Sequence, residues 1–228
     1  SPTSEVRHLM ETEEGFDRDV WKQLCQELGL GGLQIPEVYG GQGFSFAELG
    51  IVMEEMGRAL YCGPYFSSSV LATSAILHAG NKGQKANFLP TIASGEHIAT
   101  LAVAEQTGRW DCEGIALTAT PNRNSYLLKG VKSYVIDGHI ADFIVVAARA
   151  PGSSGVKGIS LFVVDSNQRG VERRLLQTAD QTRKQSLIKF DRVQGELLGE
   201  ADVGPSAFRK SMDEAATALA NEMVGGAQ

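Results

Sequence analysis

The sequence runs to 228 residues, 43% hydrophobic and 21% charged, with a formal net charge of −6. Its length points to two domains, its balance to an ordinary soluble globular chain, and its acidity without basic runs away from a nucleic-acid surface. No apolar stretch nears the roughly 20 residues of a bilayer span and no charged-then-apolar leader opens the chain, so no membrane span is expected.

Cys25, Cys62 and Cys112 are scattered and odd in number. They fit a reducing, cytoplasmic setting and neither a disulfide framework nor a zinc site. The four histidines lie far apart, and no bound metal is expected. The start at Ser1-Pro2-Thr3-Ser4 and the stop at Val224-Gly-Gly-Ala-Gln228, inside a helical pattern, lead us to expect a fragment.

Residues 1–97 read as a helical domain. Asp17 to Leu28 places Val20, Trp21, Leu24, Cys25 and Leu28 on one face, and Gly29 ends the helix. The Gly- and Pro-rich stretch from Gly31 to Gly43 is a loop. Ser45-Phe-Ala-Glu48 is a capping box that opens a helix with Leu49, Val52, Met53, Met56 and Leu60 inward. A third helix is expected from near Ser67 to His78, stopping at Gly80. A fourth contains Gln84 to Leu89, with Pro90 as its kink or end.

From Ile98 the period becomes that of strands. Ile98 to Ala104 is a β run, and Leu117–Thr120 with Ser125–Lys129 flank a hairpin turn at Pro121–Asn124. Phe143–Ala148 and Gly158–Asp165 are strands around a Gly/Ser loop, 152–157. That loop has a phosphate-loop composition but leads into a strand, so it is a hairpin tip. Val171–Gln177 and Ser186–Val193 complete the set. Short strands without crossover helices predict an antiparallel β-barrel or sandwich over residues 98–204, and an α+β class overall. Pro205 starts a last helix, residues 205–228, read as the first helix of a C-terminal bundle. Its stripe of Phe208, Met212, Ala216, Leu219, Ala220 and Met223 is expected to await a partner beyond this sequence.

Two segments concentrate candidate ligand contacts. Leu101 to Asp111 runs from strand into a polar loop, and Lys129 to Asp142 answers it. Each brings an aromatic, Trp110 or Tyr134, to a strand end where a sheet edge can meet a flat ligand.

The order helices, small β domain, helix resembles the acyl-CoA dehydrogenase family. So does Pro36-Glu-Val-Tyr-Gly-Gly-Gln-Gly43 followed by Glu54, Glu55 and Arg58, close to the family's PEEYGGxG…EE…R. Gly158–Asp165, Phe190-Asp191, Leu197-Leu-Gly199 and Val224–Gln228 extend the likeness over essentially the whole chain. The resemblance implies FAD-dependent α,β-dehydrogenation of an acyl-CoA thioester, with electrons passing to an electron-transfer flavoprotein. It also implies a homo- or hetero-oligomer, and a catalytic base outside this sequence. Carried onto this chain, it implies flavin contacts at Leu101, Val103, Ala104, Arg109, Trp110, Tyr134, Val135 and Ile136. Substrate contacts are implied at Ser67, Leu71, Trp110 and Met212.

Departures from the family pattern are specific. The flavin loop, TEPxAGSD in the family, reads Ala104-Glu-Gln-Thr-Gly-Arg-Trp-Asp111, so its threonine is Ala104 and its serine is Trp110. The hydroxyl expected opposite the flavin N5 is replaced by Ile136, and an arginine of the last helix by Ala216. Losing side-chain donors costs about 1–3 kcal/mol each where a buried flavin atom is left unpaired. Main-chain N–H groups, or Arg109 on a phosphate, would offset part of that. Two expectations stand: a divergent active enzyme for a bulky or branched acyl-CoA, or a flavin-deficient partner subunit of a heteromeric dehydrogenase. A flavin monooxygenase on the same scaffold has no sequence feature in its favour.

Overall fold

The computed structural model describes residues 2–201 and 204–228. Among the described residues, six α-helices and one sheet make the fold. The N-terminal helices are α1 (Thr3–Glu11), α2 (Arg18–Lys22, continuing as a π-helical turn, Gln23–Glu27), α3 (Phe46–Arg58), α4 (Thr73–Ala79, continuous with a π-helical segment, Tyr65–Ala72) and α5 (Lys82–Ala93). The strands are β1 (Ala99–Ala102), β2 (Thr118–Asn122), β3 (Ser125–Ile136), β4 (Phe143–Arg149), β5 (Ile159–Asp165), β6 (Val171–Leu175) and β7 (Gln185–Leu197), and α6 (Gly204–Ala227) closes the chain.

Local chemistry sets the helix ends. The Asp17 carboxylate accepts from Asp19 N and Val20 N to start α2, and Gly29, at φ +67°, turns the chain out of it. Ser45 and Glu48 form the expected capping box on α3, and Asn81 with Gln84 forms a second on α5. Of the face foreseen on α2, Trp21 and Cys25 are buried while Val20 and Leu28 are exposed. The π-helical turn bonds i to i+5 and so rotates Leu28 off the apolar stripe. Leu60, also foreseen as inward, lies beyond the end of α3 at φ +47° and is exposed. Helix α5 passes through Pro90 and runs to Ala93, because the proline falls within its last turn and forgoes only one intrahelical bond.

The sheet is mixed, which corrects the antiparallel expectation at one edge. β1 runs parallel to β4, with Ala99 opposite Phe143 and Ala102 opposite Val146. Both strands are buried along their whole length, as parallel neighbours covered on two faces must be. β4 pairs antiparallel with β5, β3 with β2 and β7, and β7 with β5 and β6. A single parallel bridge, Thr118 to Arg149, joins β2 to β4. Alternation along β4 divides the core. Phe143, Val145 and Ala147 join the helices in one cluster, while Ile144, Val146 and Ala148 join Leu128, Phe162 and Phe190 in another. One continuous cluster therefore welds α2–α6 to the near face of the sheet.

Helix α6 packs on α3 with a face other than most of the stripe read from the sequence, of which Ala216, Ala220 and Met223 are exposed. It crosses α3 so closely that a Cβ at Gly57 would fall on Glu222 O, and one at Gly225 on Glu54 O. The buried side is Ala207, Phe208, Ser211, Ala215, Ala218 and Gly225. Small residues permit that approach, with Phe208 buried beside them, Met212 and Leu219 partly buried, and Met223 74% exposed. Residues 202 and 203, where the lead-in to the helix falls, lie outside the described residues.

Candidate functional site

The two segments singled out in the sequence lie side by side. Ser133 N donates to Ala104 O at 2.8 Å, and Thr100 Oγ1 donates to Ile136 O at 2.6 Å. Leu101, Val103, Ala104, Val135 and Ile136 are buried along this seam, whereas Tyr134 is 43% and Trp110 40% exposed. Tyr134 stands at φ +57° and Asp137 at φ +52°. For residues with a Cβ this left-handed conformation is uncommon, and at Tyr134 it falls within a bulge between Lys132 and Val135. The extra residue turns the phenol outward.

A buried charge fastens the seam. Lys132 has no solvent exposure, and its Nζ donates to Val103 O and to Glu105 Oε1, each at 2.9 Å. The same Glu105 oxygen accepts from Ala116 N and Leu117 N, so one carboxylate anchors both arms of the loop. Burial pushes the Lys132 ammonium down to about 8, against the opposing pull of Glu105. Within the loop, Arg109 donates to Asp111 and Glu113, and Asp111 Oδ1 also accepts from Gly114 N. The Arg109 charge is thus paired within its own turn, although the pairing is exposed and weak.

Trp110 forms one wall of a cleft of about 780 Å³. Val156, at the 152–158 hairpin tip, and Phe208 and Met212 on α6 give it further apolar surface, while Arg209 and Lys210 add positive charge. Arg149 braces these walls from behind. Its buried guanidinium donates to Ile115 O, to Cys112 O at 3.1 Å and to Gly155 O at 3.0 Å. Of the residues predicted from sequence, Arg109, Trp110 and Met212 meet at this cleft. Tyr134 lies outside it. Ser67 and Leu71 are fully buried in the segment before α4; Ser67 Oγ donates to Asp137 Oδ2 at 2.6 Å.

Sequence reasoning missed Lys132, Arg149 and Asp137. The first carried a signal: Lys132 sits four residues beyond buried Leu128, on the same side of β3. Arg149 ends an otherwise wholly apolar strand. Nothing local marks Asp137, whose partner is 70 residues away.

Whether these residues suit a flavin turns on the donors left to them. Ala104 and Ile136 present only hydrocarbon. Among the described residues, however, the main-chain N–H groups of Gln106, Thr107 and Trp110 donate to no protein acceptor. With two exposed aromatics beside them, the residues fit a planar, acceptor-rich ring.

The helical layer, the mixed sheet and α6 define an acyl-CoA dehydrogenase fold. The chain belongs to that family: residues 3–96 match the acyl-CoA dehydrogenase N-terminal domain and residues 100–193 its middle domain. It is 31% identical over 221 residues to the 3-(aryl)acrylate reductase of Clostridium sporogenes, covering 93% of this chain and 58% of the reductase. The Tcur3481-Tcur3483 steroid ACAD superposes with a TM-score of 0.84 at 28% identity, over 97% of this chain and 57% of that one. An acyl-CoA dehydrogenase from Bacillus anthracis, solved in complex with FAD, gives a TM-score of 0.87 at 26% identity, over 100% of this chain and 40% of that one. The chain thus spans little more than half the length of the reductase.

Proposed function

We propose that the chain acts as an FAD-dependent acyl-CoA dehydrogenase that oxidises an acyl-CoA thioester between its α and β carbons. In this reading electrons go on to an electron-transfer flavoprotein, and the chain works within an oligomer. The observation that carries it is the abutment of the two ribbons, bonded to each other at Ala104–Ser133 and Thr100–Ile136. That seam offers the exposed phenol of Tyr134 and the unspent amides of the 105–110 loop to one ligand.

Bound FAD would supply the hydride acceptor. The protein's share is binding and exclusion of water. Leu101, Val103 and Ile136 form an apolar floor along the seam, while Val135 packs on the opposite face of the sheet. Trp110, Phe208 and Met212 give the neighbouring cleft walls for an acyl or pantetheine chain, and Arg209 and Lys210 suit an anionic end. The proton-abstracting base is assigned to no residue of this chain. The test is the visible spectrum of the purified protein: a bound flavin that bleaches on adding an acyl-CoA supports the reading.

A second reading is favoured by one specific feature, the hydrocarbon of Ala104 and Ile136 where the family carries hydroxyls. In it the chain is a flavin-deficient partner subunit. Colourless protein that co-purifies with a flavin-bearing homologue supports this instead.

A further inference from the structure

Asp137 ends the bend of β3 that begins at Tyr134. It is 5% exposed, and its carboxyl is met by a hydroxyl from the other structural layer, Ser67 Oγ, at 2.6 Å. Ser67 is itself fully buried and also lies 3.1 Å from Pro64 O. Two arrangements of protons satisfy this chain of oxygens. With Asp137 ionised, Ser67 donates to the carboxylate. With Asp137 neutral, the acid donates to Ser67 Oγ, and the Ser67 proton turns to Pro64 O.

The rest of the Asp137 backbone is tied as firmly. Its N–H donates to Lys184 O, and its carbonyl accepts from Ile140 N and Ala141 N. Between the two left-handed residues, Tyr134 and Asp137, lie Val135 and Ile136. The side chain of Asp137 is thus the contact through which the Tyr65–Ala72 segment holds the end of this bend. We propose that Asp137 is a positioning residue, clasping the Tyr134–Ile136 bend to Ser67 so that the bend is held ready for a flavin ring. The inference rests on the flavin reading given above.

Charged and titratable groups face Asp137 from every side. Arg183, 4.9 Å over the Phe66 ring and bonded to Glu222 of α6, favours the ionised carboxylate. Lys184 turns its amine away to Met10 O. Tyr61 and Cys62 are kept protonated by burial. His139 binds Glu14 O, and burial holds its ring below the usual range. Burial dominates at Asp137 and lifts its carboxyl from 3.8 to about 6, against the pull of Ser67 and Arg183. A carboxyl raised on folding stabilises the fold fully below its unfolded value, and that stability is lost as pH rises through about 6.

The experiment compares wild type, Asp137→Asn and Ser67→Ala for FAD affinity and melting temperature from pH 5 to pH 8. Wild-type melting temperature is expected to fall from pH 5 and level off above about 6, and FAD affinity to fall with the protonated fraction, with a midpoint near 6. Asp137→Asn should be flat in both over this range. Ser67→Ala, which removes a bond that favours the charged form, should move the midpoint upward. A wild-type pH dependence that survives in Asp137→Asn overturns the clasp. Melting that responds while FAD affinity stays constant with pH overturns the positioning role. Absence of FAD binding at every pH, with the melting response intact, sinks the flavin reading and the positioning role with it.

Discussion

Lys132 Nζ lies 2.9 Å from Glu105 Oε1, with the lysine side chain wholly buried and the glutamate 12% exposed. A charge so placed is held by its partner, and removing either one leaves the other buried with only neutral main-chain partners. Lys132→Met should therefore lower unfolding free energy by about 3–5 kcal/mol. The double variant Lys132→Met/Glu105→Gln should recover part of this. Denaturant titration measures both. A single variant that costs under about 1 kcal/mol would mean the pair is not desolvated as described.

The same lysine gives a stability slope in alkali. Its folded value, about 8, lies below the ordinary 10.5, so the unfolded chain holds the proton over that interval. Stability should rise with pH between those two values, relative to Lys132→Met measured alongside. Equal slopes in the two proteins would contradict the burial.

At the α3–α6 crossing, Gly57→Ala gains helix propensity of about 1 kcal/mol. It also drives a methyl into the Glu222 carbonyl, a backbone atom that cannot swing aside. The clash should win, with a net loss of about 1–3 kcal/mol. Gly225→Ala, opposite Glu54 O, should behave alike, and Gly226→Ala, which meets nothing close, should not. Thermal melting separates the three.

Arg149 ties the Cys112–Ile115 turn to the tip at Gly155. Arg149→Met strands buried carbonyls and should cost about 3 kcal/mol or more. Arg149→Lys should restore only part, since a point charge cannot serve three diverging acceptors. Limited proteolysis between Gly108 and Ile115 should accelerate in both variants. Unchanged cleavage would show that the loop stands without the brace.

Much of the helical layer was legible because its signals are local. Asp17, Gly29 and the Ser45–Glu48 box act on atoms within a turn of themselves, and the hairpin tip at Arg123 needs only its own left-handed residue. The adjacency of the Trp110 and Tyr134 segments came through family resemblance. What stayed hidden depends on distant contacts. The parallel pairing of β1 with β4 skips an intervening hairpin. The inward face of α6 follows from backbone approach at Gly57, which favours small residues such as Ala215, Ala218 and Gly225 there and leaves Met223 outside. Lys132 falls on the buried side of β3, yet nothing local tells what meets its charge until Glu105, 27 positions away, is seen beside it.

In the flavin reading, main-chain amides and two aromatics replace the hydroxyls lost at Ala104 and Ile136. Because that replacement offsets the loss only in part, restoring one hydroxyl by Ile136→Thr should strengthen FAD binding by about 5- to 150-fold, the equivalent of about 1–3 kcal/mol.

The most direct measurement is a titration of the purified protein with FAD, followed by flavin fluorescence, for wild type, Tyr134→Ala and Ile136→Thr. One saturable site per chain is expected, weakened by Tyr134→Ala and strengthened by Ile136→Thr. No saturable binding by any of the three proteins would contradict the flavin reading.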